Sequence, residues 1–382
     1  MAHLRAEAAA LCAVVATGSL VLSHCTRSAA LLVGVGTVVN GLVACLWALM
    51  RERAREHFRD GESELASFQA LIKAGLFSAF LVNGLLAGSP GMPRVFFGAA
   101  ALSVVGGALV TFLPPSGPKA ACRARMQWAM VMVGWALTVT GDVTQQALLA
   151  LNVGSDTAWT LTRLAMPSVF LVPTSVYTWI VGRVQRGSPA RRAPRSDVGS
   201  RATQAVRQLH LALASSLGLL VVAAVFADEL ADACKRGFTT PKEGPVYFRL
   251  RALSMALGFC GEYIGSRAGL DARRAAGIQV ASQLLRTGAA LAGCQWWTQL
   301  LVISIEDVTG GAMAGAVNVV QEKEARRSPT AASILDTAEH VSKAIAPALS
   351  LVSVRWFGLP AVVVAGATLQ GAIAASGFPR TE

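Results

Sequence analysis

The chain of 382 residues is 53% hydrophobic and only 15% charged, whereas a soluble globular domain carries about 25% charged residues. The formal net charge of +12 would indicate a nucleic-acid partner in a soluble protein, but the basic residues lie between long apolar stretches. The composition therefore argues against a soluble protein and against nucleic-acid binding, and it favours a multi-pass membrane protein whose partner is the lipid bilayer.

Many of the apolar stretches approach the ~20 residues that a helix needs to cross the hydrocarbon core of a bilayer. The predicted spans are 8–24, 28–50, 67–88, 95–114, 126–151, 158–182, 207–228, 246–266, 275–294, 296–321, 331–354 and 357–377. We therefore predict an all-α membrane protein with about 12 transmembrane helices in two six-helix bundles.

Arginine and lysine are concentrated in every second connection between these spans. These connections hold Arg51, Arg53, Arg55 and Arg59; Lys119, Arg123 and Arg125; Arg183, Arg186, Arg191, Arg192, Arg195, Arg201 and Arg207; Arg267, Arg273 and Arg274; and Lys323, Arg326 and Arg327. Because basic residues mark cytoplasmic loops, and because the number of spans is even, both termini are predicted to be cytoplasmic. The pattern does not indicate which membrane holds the protein.

The longest basic connection lies at the midpoint of the chain. Residues 183–206 contain Gly187-Ser188-Pro189 and Ala193-Pro194-Arg195, a composition typical of a linker. We therefore predict an N-terminal bundle over 1–182, a cytoplasmic linker over 183–206 and a C-terminal bundle over 207–382.

The connection after the eighth span contains a short motif that resembles one in a known protein family. Residues 265–274 resemble the G-x-x-x-D-R-x-G-R-R loop of the major facilitator superfamily, with Ser266 at a position where an acid is usual in that family. The cytoplasmic loop residues concerned are Gly265, Arg267, Gly269, Arg273 and Arg274. The resemblance implies a transporter that works by alternating access, either as a secondary active transporter or by facilitated diffusion.

A second resemblance concerns the C-terminal half. This half contains a series of residues similar to a pattern in the first half of ferroportin-type metal exporters. The series is Gly261-Glu262-Tyr263-Ile264, then Gln279 and Ser282, then Asp336. This resemblance implies a metal-ion exporter as an alternative function. No residue set matching that family's metal ligands is identified, so a metal site remains unassigned.

Ionisable residues inside predicted spans are the candidates for contact with a substrate or coupling ion, because a charged group in hydrocarbon is costly. In the fifth span, Asp142 follows Thr138 and precedes Gln146 by four residues each, which predicts one polar helical face. This face could relay a proton or a cation, or it could bind a neighbouring helix.

In the tenth span, Glu306 and Asp307 are adjacent acids, and Gly311, Gly315 and Asn318 follow on a small-residue face that favours a close helix contact. The acids could hold a coupling ion, or one of them could be buried at that contact.

Four further residues complete the candidates. Asp336 and His340 begin the eleventh span, where an interfacial structural role is favoured over ion binding. Arg163 in the sixth span and Arg286 in the ninth could pair with the acids or with an anionic substrate.

The sequence lacks P-loop, HExxH, GxSxG and Rossmann motifs. We therefore expect no enzymatic activity and no cofactor. The leading hypothesis is a transporter of a small solute or ion. The other alternative is a membrane scaffold or receptor that keeps the fold without transport. The sequence indicates neither the substrate nor the oligomeric state.

Overall fold

The computed structural model describes residues 2–57, 61–86, 97–98, 100–101, 105, 119–166, 244–293, 295–327, 349 and 352–376. These residues form helices and the turns that join them, and no strand occurs among them. The predicted linker 183–206 and the predicted span 207–228 lie outside the described residues, as do most of the predicted spans 95–114, 158–182 and 331–354.

The described helices follow the predicted spans closely in position. They are α1 (Ala2–His24), α2 (Ala29–His57), α3 (Glu62–Leu86), α4 (Lys119–Thr138), α5 (Thr144–Ala150), α6 (Ser155–Thr160), α7 (Gly244–Arg267), α8 (Ala272–Leu291), α9 (Trp296–Arg327) and α10 (Leu359–Ser376). The all-helical character expected from the sequence is therefore observed over the described part of the chain.

Two helices run further than their apolar stretches predict. Helix α2 continues to His57 and α9 continues to Arg327, so basic residues that the sequence places in connections lie on helical turns. The extensions are rich in Ala, Arg, Glu and Lys, which are strong helix formers and need no apolar surroundings. Hydropathy therefore predicted the apolar part of these two helices correctly, but it ended each predicted helix before its charged C-terminal turns.

The fifth predicted span contains an irregular segment. Between α4 and α5 the backbone forms a π-helical turn over Val139–Val143, and a second π-helical turn over Leu161–Ala165 follows α6. Short π-helical segments are rare and occur often at functional sites. The two π-helical turns contact each other.

The chain divides into two compact units. Unit 1 comprises Met1–His57, Ser67–Phe170 and Gly237–Cys260, and in it α1 packs on α2, while α2 contacts α4, α5 and the first π-helical turn. The backbones of α3 and α4 lie in close contact at Gly75, where an added Cβ would overlap the carbonyl of Val131. The indole of Trp135 donates a 2.9 Å hydrogen bond to Ser78 beside this contact.

Unit 2 comprises Phe58–Ala66, Leu171–Arg236 and Gly261–Glu382, and in it α8 packs on both α9 and α10. One end of the α8–α9 contact is apolar. Its buried members are Ala275, Ala276, Met313, Ala316, Val317 and Val320, with Leu270 packed against them.

The turn between α7 and α8 is the segment that carries the family-like motif. Gly269 has a φ of +61°, a left-handed conformation that glycine adopts readily after a helix ends. The carboxylate of Asp271 then accepts a 3.2 Å hydrogen bond from the backbone N–H of Arg273 and caps the start of α8. The glycine and the acid in this motif therefore have local structural roles.

Two described helical segments, Ser63–Leu86 and Leu300–Lys323, are long and apolar enough to cross a membrane, with mean hydropathies of 1.7 and 1.5. Core helices of soluble proteins can meet the same criterion. The distribution of polar and apolar side chains over the helix faces therefore says more about whether a helix contacts lipid than its length and hydropathy do.

Candidate functional site

Asp142 lies on the first π-helical turn of unit 1 and is only 3% exposed. The hydroxyl of Tyr247, on α7, donates a 2.7 Å hydrogen bond to Oδ1 of Asp142. Tyr247 is itself buried, and its ring contacts Phe248 edge to face. A buried carboxylate and a buried phenol thus share one hydrogen bond next to a break in α-helical geometry.

The π-helical turn changes the polar face that the sequence predicts around Asp142. The spacing of four residues from Thr138 to Asp142 aligns the two side chains only in an unbroken α-helix, and a π-helical turn widens that repeat. Gln146, on α5, is half-buried, next to the buried Gln145 and Thr144. Arg163 lies on the second π-helical turn, but its side chain is outside the described part of the structure.

In unit 2, Arg286 lies on α8 and Glu306 lies on α9, and these two helices pack against each other. Arg286 is 3% exposed and Glu306 is 4% exposed, and the two side chains interact electrostatically. Asp307, next in the chain, is also buried. The structure thus brings together the arginine and one of the adjacent acids that the sequence singled out.

Helices α7 and α9 approach each other closely at glycines. A Cβ at Gly261 or Gly265 would overlap the backbone of Val308 or Ala312, and a Cβ at Gly315 would overlap the carbonyl of Glu262. Small residues at four-residue spacing are typical of close helix contacts in membrane proteins. The motif residue Gly265 therefore serves helix packing.

Asn318 lies at this close contact and donates a 3.0 Å hydrogen bond through Nδ2 to Oε1 of the buried Glu262. The sequence identified Asn318 as a candidate, whereas Glu262 was noted only within the ferroportin-like pattern. Their separation of 56 residues in the chain hides the pair from sequence reasoning.

The remaining motif residues lie at the surface of unit 2. Arg267 and Arg274 are exposed and Arg273 is half-buried, and the guanidinium of Arg267 lies 5.8 Å from the ring centre of Tyr263. Ser266, at the position where the family has an acid, is buried and donates a 3.0 Å hydrogen bond to the carbonyl of Tyr263.

Asp336 and His340 lie outside the described residues. Within the described part of the chain, no group of three or more His, Cys, Asp or Glu side chains could hold a metal ion.

Reasoning from the sequence did not identify a row of polar residues along α8. Gln279, Gln283 and Arg286 recur at i, i+4 and i+7, which is one helical face, and all three are buried.

Comparisons with known proteins give little beyond this geometry. No family model matches the chain, and no curated protein matches it significantly. A crystal structure of a bacterial homologue of the iron transporter ferroportin in the outward-facing state matches with 12% sequence identity, covering 97% of this chain and 98% of that one, at a TM-score of 0.36. A crystal structure described in the same words, with soaked iron, matches with 13% identity, covering 87% of this chain and 98% of that one, at a TM-score of 0.33. Similarities this low do not establish a common fold.

Proposed function

We propose that the chain is a multi-pass membrane transporter that moves a small solute or ion by alternating access to a buried polar site. Secondary active transport and facilitated diffusion both fit this proposal. The residues proposed to line the site are Arg286, Glu306 and Asp307 in unit 2.

The distribution of residues around α8 is the observation that carries the proposal. Its large exposed side chains are Ile278, Leu284, Leu285 and Leu291. Its buried face instead carries Gln279, Gln283 and Arg286. This is the reverse of a soluble protein's helix, where polar side chains face water and apolar ones face the core. In a bilayer the arrangement is favourable, because lipid contacts the apolar face and polar groups are satisfied inside the protein.

The buried charges support transport more than simple anchoring. In the described part of unit 2, the buried charged residues comprise four acids and one arginine, namely Glu262, Glu306, Asp307, Glu322 and Arg286. Ionisable residues within membrane helices are costly, and they often mark substrate or ion pathways. A set rich in carboxylates suits the passage of a cation or a proton.

Uptake into proteoliposomes tests the proposal. The purified full-length protein would be reconstituted and assayed against a panel of sugars, amino acids, organic anions and divalent metals, with and without an imposed proton gradient. We expect saturable, protein-dependent flux of at least one solute. Flux of a divalent metal alone would support the ferroportin-like alternative, and no flux for any member of the panel would contradict transport.

A scaffold that retains the fold without transport is the second candidate. It is favoured by the pairing of polar groups that the described residues show, Asp142 with Tyr247 and Glu262 with Asn318. A scaffold predicts that substitutions of these residues lower stability while no solute crosses the membrane.

A further inference from the structure

Exposed arginines and exposed large apolar side chains meet at the turn between α7 and α8. Residues 268–271 join the two helices, so the end of α7 and the start of α8 lie at the same end of unit 2. Arg267 is the last residue of α7, and Arg274 lies in the first turn of α8. With three exposed neighbours within one helical turn, they form a group here called the arginine surface, which comprises Tyr263, Ile264, Arg267, Arg274 and Ile278.

The arginine surface lies on the outer faces of its two helices. Helix α7 contacts α9 at Gly261 and Gly265, and Tyr263 lies midway between these glycines in the chain, on the other side of the helix. Helix α8 also packs on α9. The exposed residues of α8 recur three or four positions apart from the arginine onward, and they are Arg274, Ile278, Ala281 and Leu285. In a bilayer such an apolar stripe contacts acyl chains, and the arginine at its end lies towards the headgroups.

Tyr263 orients the guanidinium of Arg267. The two groups lie 5.8 Å apart, measured from the guanidinium carbon to the ring centre, which is within the range of a cation–π contact. Tyrosine is common at the headgroup level of membrane proteins, because its ring is apolar and its hydroxyl is polar. The planar guanidinium can donate two parallel hydrogen bonds to the oxygens of one phosphate.

The acids described near this turn do not cancel its positive charge. Asp271 caps α8 by accepting a hydrogen bond from the backbone N–H of Arg273. The start of α3 also reaches the turn, because the Ser63 hydroxyl donates to the carbonyl of Ser266, and Glu64 follows on α3. Three arginines therefore stand against two acids. Arg273 and both acids are half-buried, so the two exposed arginines dominate the surface.

We infer that the arginine surface binds an anionic phospholipid. Its phosphate contacts Arg267 and Arg274, and its acyl chains lie along Ile264 and Ile278. The isoleucines favour a lipid over a free anion, because only the lipid removes their apolar surface from water. Anionic lipids attract basic residues at the cytoplasmic face of membranes, where this turn is predicted to lie. The inference rests on the membrane location in the proposed function, but it does not require transport.

Native mass spectrometry of the full-length protein in a neutral detergent tests the inference, because each bound lipid is resolved by its mass. The protein would be titrated with phosphatidylglycerol or with phosphatidylcholine of the same acyl chains. We expect the first phosphatidylglycerol to bind at least about tenfold more tightly, since each basic residue at a membrane surface contributes roughly fivefold to the attraction for anionic lipid. Equal affinities for the two lipids would overturn the inference.

Variants assign the binding to the arginine surface. Arg267→Gln/Arg274→Gln removes both exposed charges and should weaken phosphatidylglycerol binding by at least about tenfold. The matched control is Arg27→Gln/Arg355→Gln, which removes the same charge at two exposed positions in connections predicted on the other side of the membrane. Its effect should stay within about twofold, because the bilayer is thicker than the Debye length. An unchanged affinity in the first variant, or equal losses in both, would contradict the assignment.

Water-soluble competitors distinguish a lipid from its headgroup alone. Inorganic phosphate and glycerol 3-phosphate would be added to the protein with one bound phosphatidylglycerol, and we expect neither to displace it. Displacement by either anion at equal concentration would show that the surface recognises a free phosphate, and it would overturn the lipid assignment.

The comparison of the two lipids on the wild-type protein needs no variant, so it decides the inference even if the substituted proteins fold poorly. Its failure also differs from failure of the proposed function. Solute flux without a preference for phosphatidylglycerol would refute the lipid site alone. A preference for phosphatidylglycerol without flux of any solute would refute transport alone.

Discussion

Tyr247 and Asp142 are joined by a 2.7 Å hydrogen bond although 105 residues separate them in the chain. Tyr247 lies on α7, and Asp142 lies on a π-helical turn between α4 and α5. The phenol therefore satisfies one oxygen of Asp142, a buried acid of unit 1.

Removal of the Tyr247 hydroxyl is expected to destabilise the protein. Tyr247→Phe leaves the ring in place and deletes the donor to Asp142, so the free energy of unfolding should fall by about 1–3 kcal/mol. Chemical denaturation in detergent measures this change. Tyr263→Phe is the control, because the side chain of Tyr263 is exposed, and its effect should stay within about 0.5 kcal/mol. Equal effects of the two substitutions would show that the hydrogen bond adds no stability.

The glycine contact between α7 and α9 gives a second prediction. Gly261→Ala places a Cβ against the backbone of Val308, which cannot move aside as a flexible side chain could. We expect a loss of about 1–3 kcal/mol in the free energy of unfolding.

The control for this substitution is Gly277→Ala on α8, where a Cβ would meet nothing within 4 Å. Alanine is the better helix former, so this change should be neutral or stabilising by up to about 1 kcal/mol. A neutral Gly261→Ala would contradict the close approach of the two helices.

These contacts show where sequence reasoning succeeds and where it stops. The positions of the helices in the described part of the chain followed from apolar stretches, and the burial of Asp142, Glu306 and Asp307 followed from the acids lying inside those stretches. The π-helical turn at Val139–Val143 could not be foreseen, because hydropathy is insensitive to a change in hydrogen-bond register. Partners such as Tyr247 and Asn318 depend on contacts between helices, which a single sequence does not specify.

The buried polar face of α8 is an intermediate case. The spacing of Gln279, Gln283 and Arg286 is visible in the sequence and predicts a shared helical face. Its importance depends on Thr309 approaching from α9 and on the exposed side of α8 being apolar, and both are properties of the folded chain. The row of polar residues on one face of α8 could therefore have been identified from the sequence. Hydropathy averaged over a whole helix does not show it, because the average does not distinguish the faces of the helix.

The hydrogen bond between Asn318 and Glu262 gives a third prediction. Asn318→Ala removes the amide donor to Oε1 of the buried Glu262, so we expect a loss of about 1–3 kcal/mol in the free energy of unfolding. A double-mutant cycle with Glu262→Gln isolates the pairwise contribution. Strict additivity of the two substitutions would mean that the pair contributes no coupling energy.

Arg286 and Glu306 give a fourth prediction. Arg286→Gln or Glu306→Gln alone leaves one buried charge without its counter-charge, and each should cost about 3–5 kcal/mol in stability. The double variant removes both charges and should recover most of this loss. Arg274→Gln, at an exposed position, should change stability by less than about 0.5 kcal/mol. A double variant less stable than either single variant would contradict the pairing.

Solute flux into proteoliposomes by the wild-type protein and by the Arg286→Gln/Glu306→Gln variant tests the central claim most directly. We predict saturable flux of at least one solute by the wild type. We predict at least about a tenfold lower rate for the folded double variant, since a rise of about 1.4 kcal/mol in the activation free energy lowers a rate tenfold. Absence of flux from the wild-type protein across the whole solute panel would contradict the transporter proposal, and an unchanged rate in the double variant would contradict the placement of the transport site at this pair.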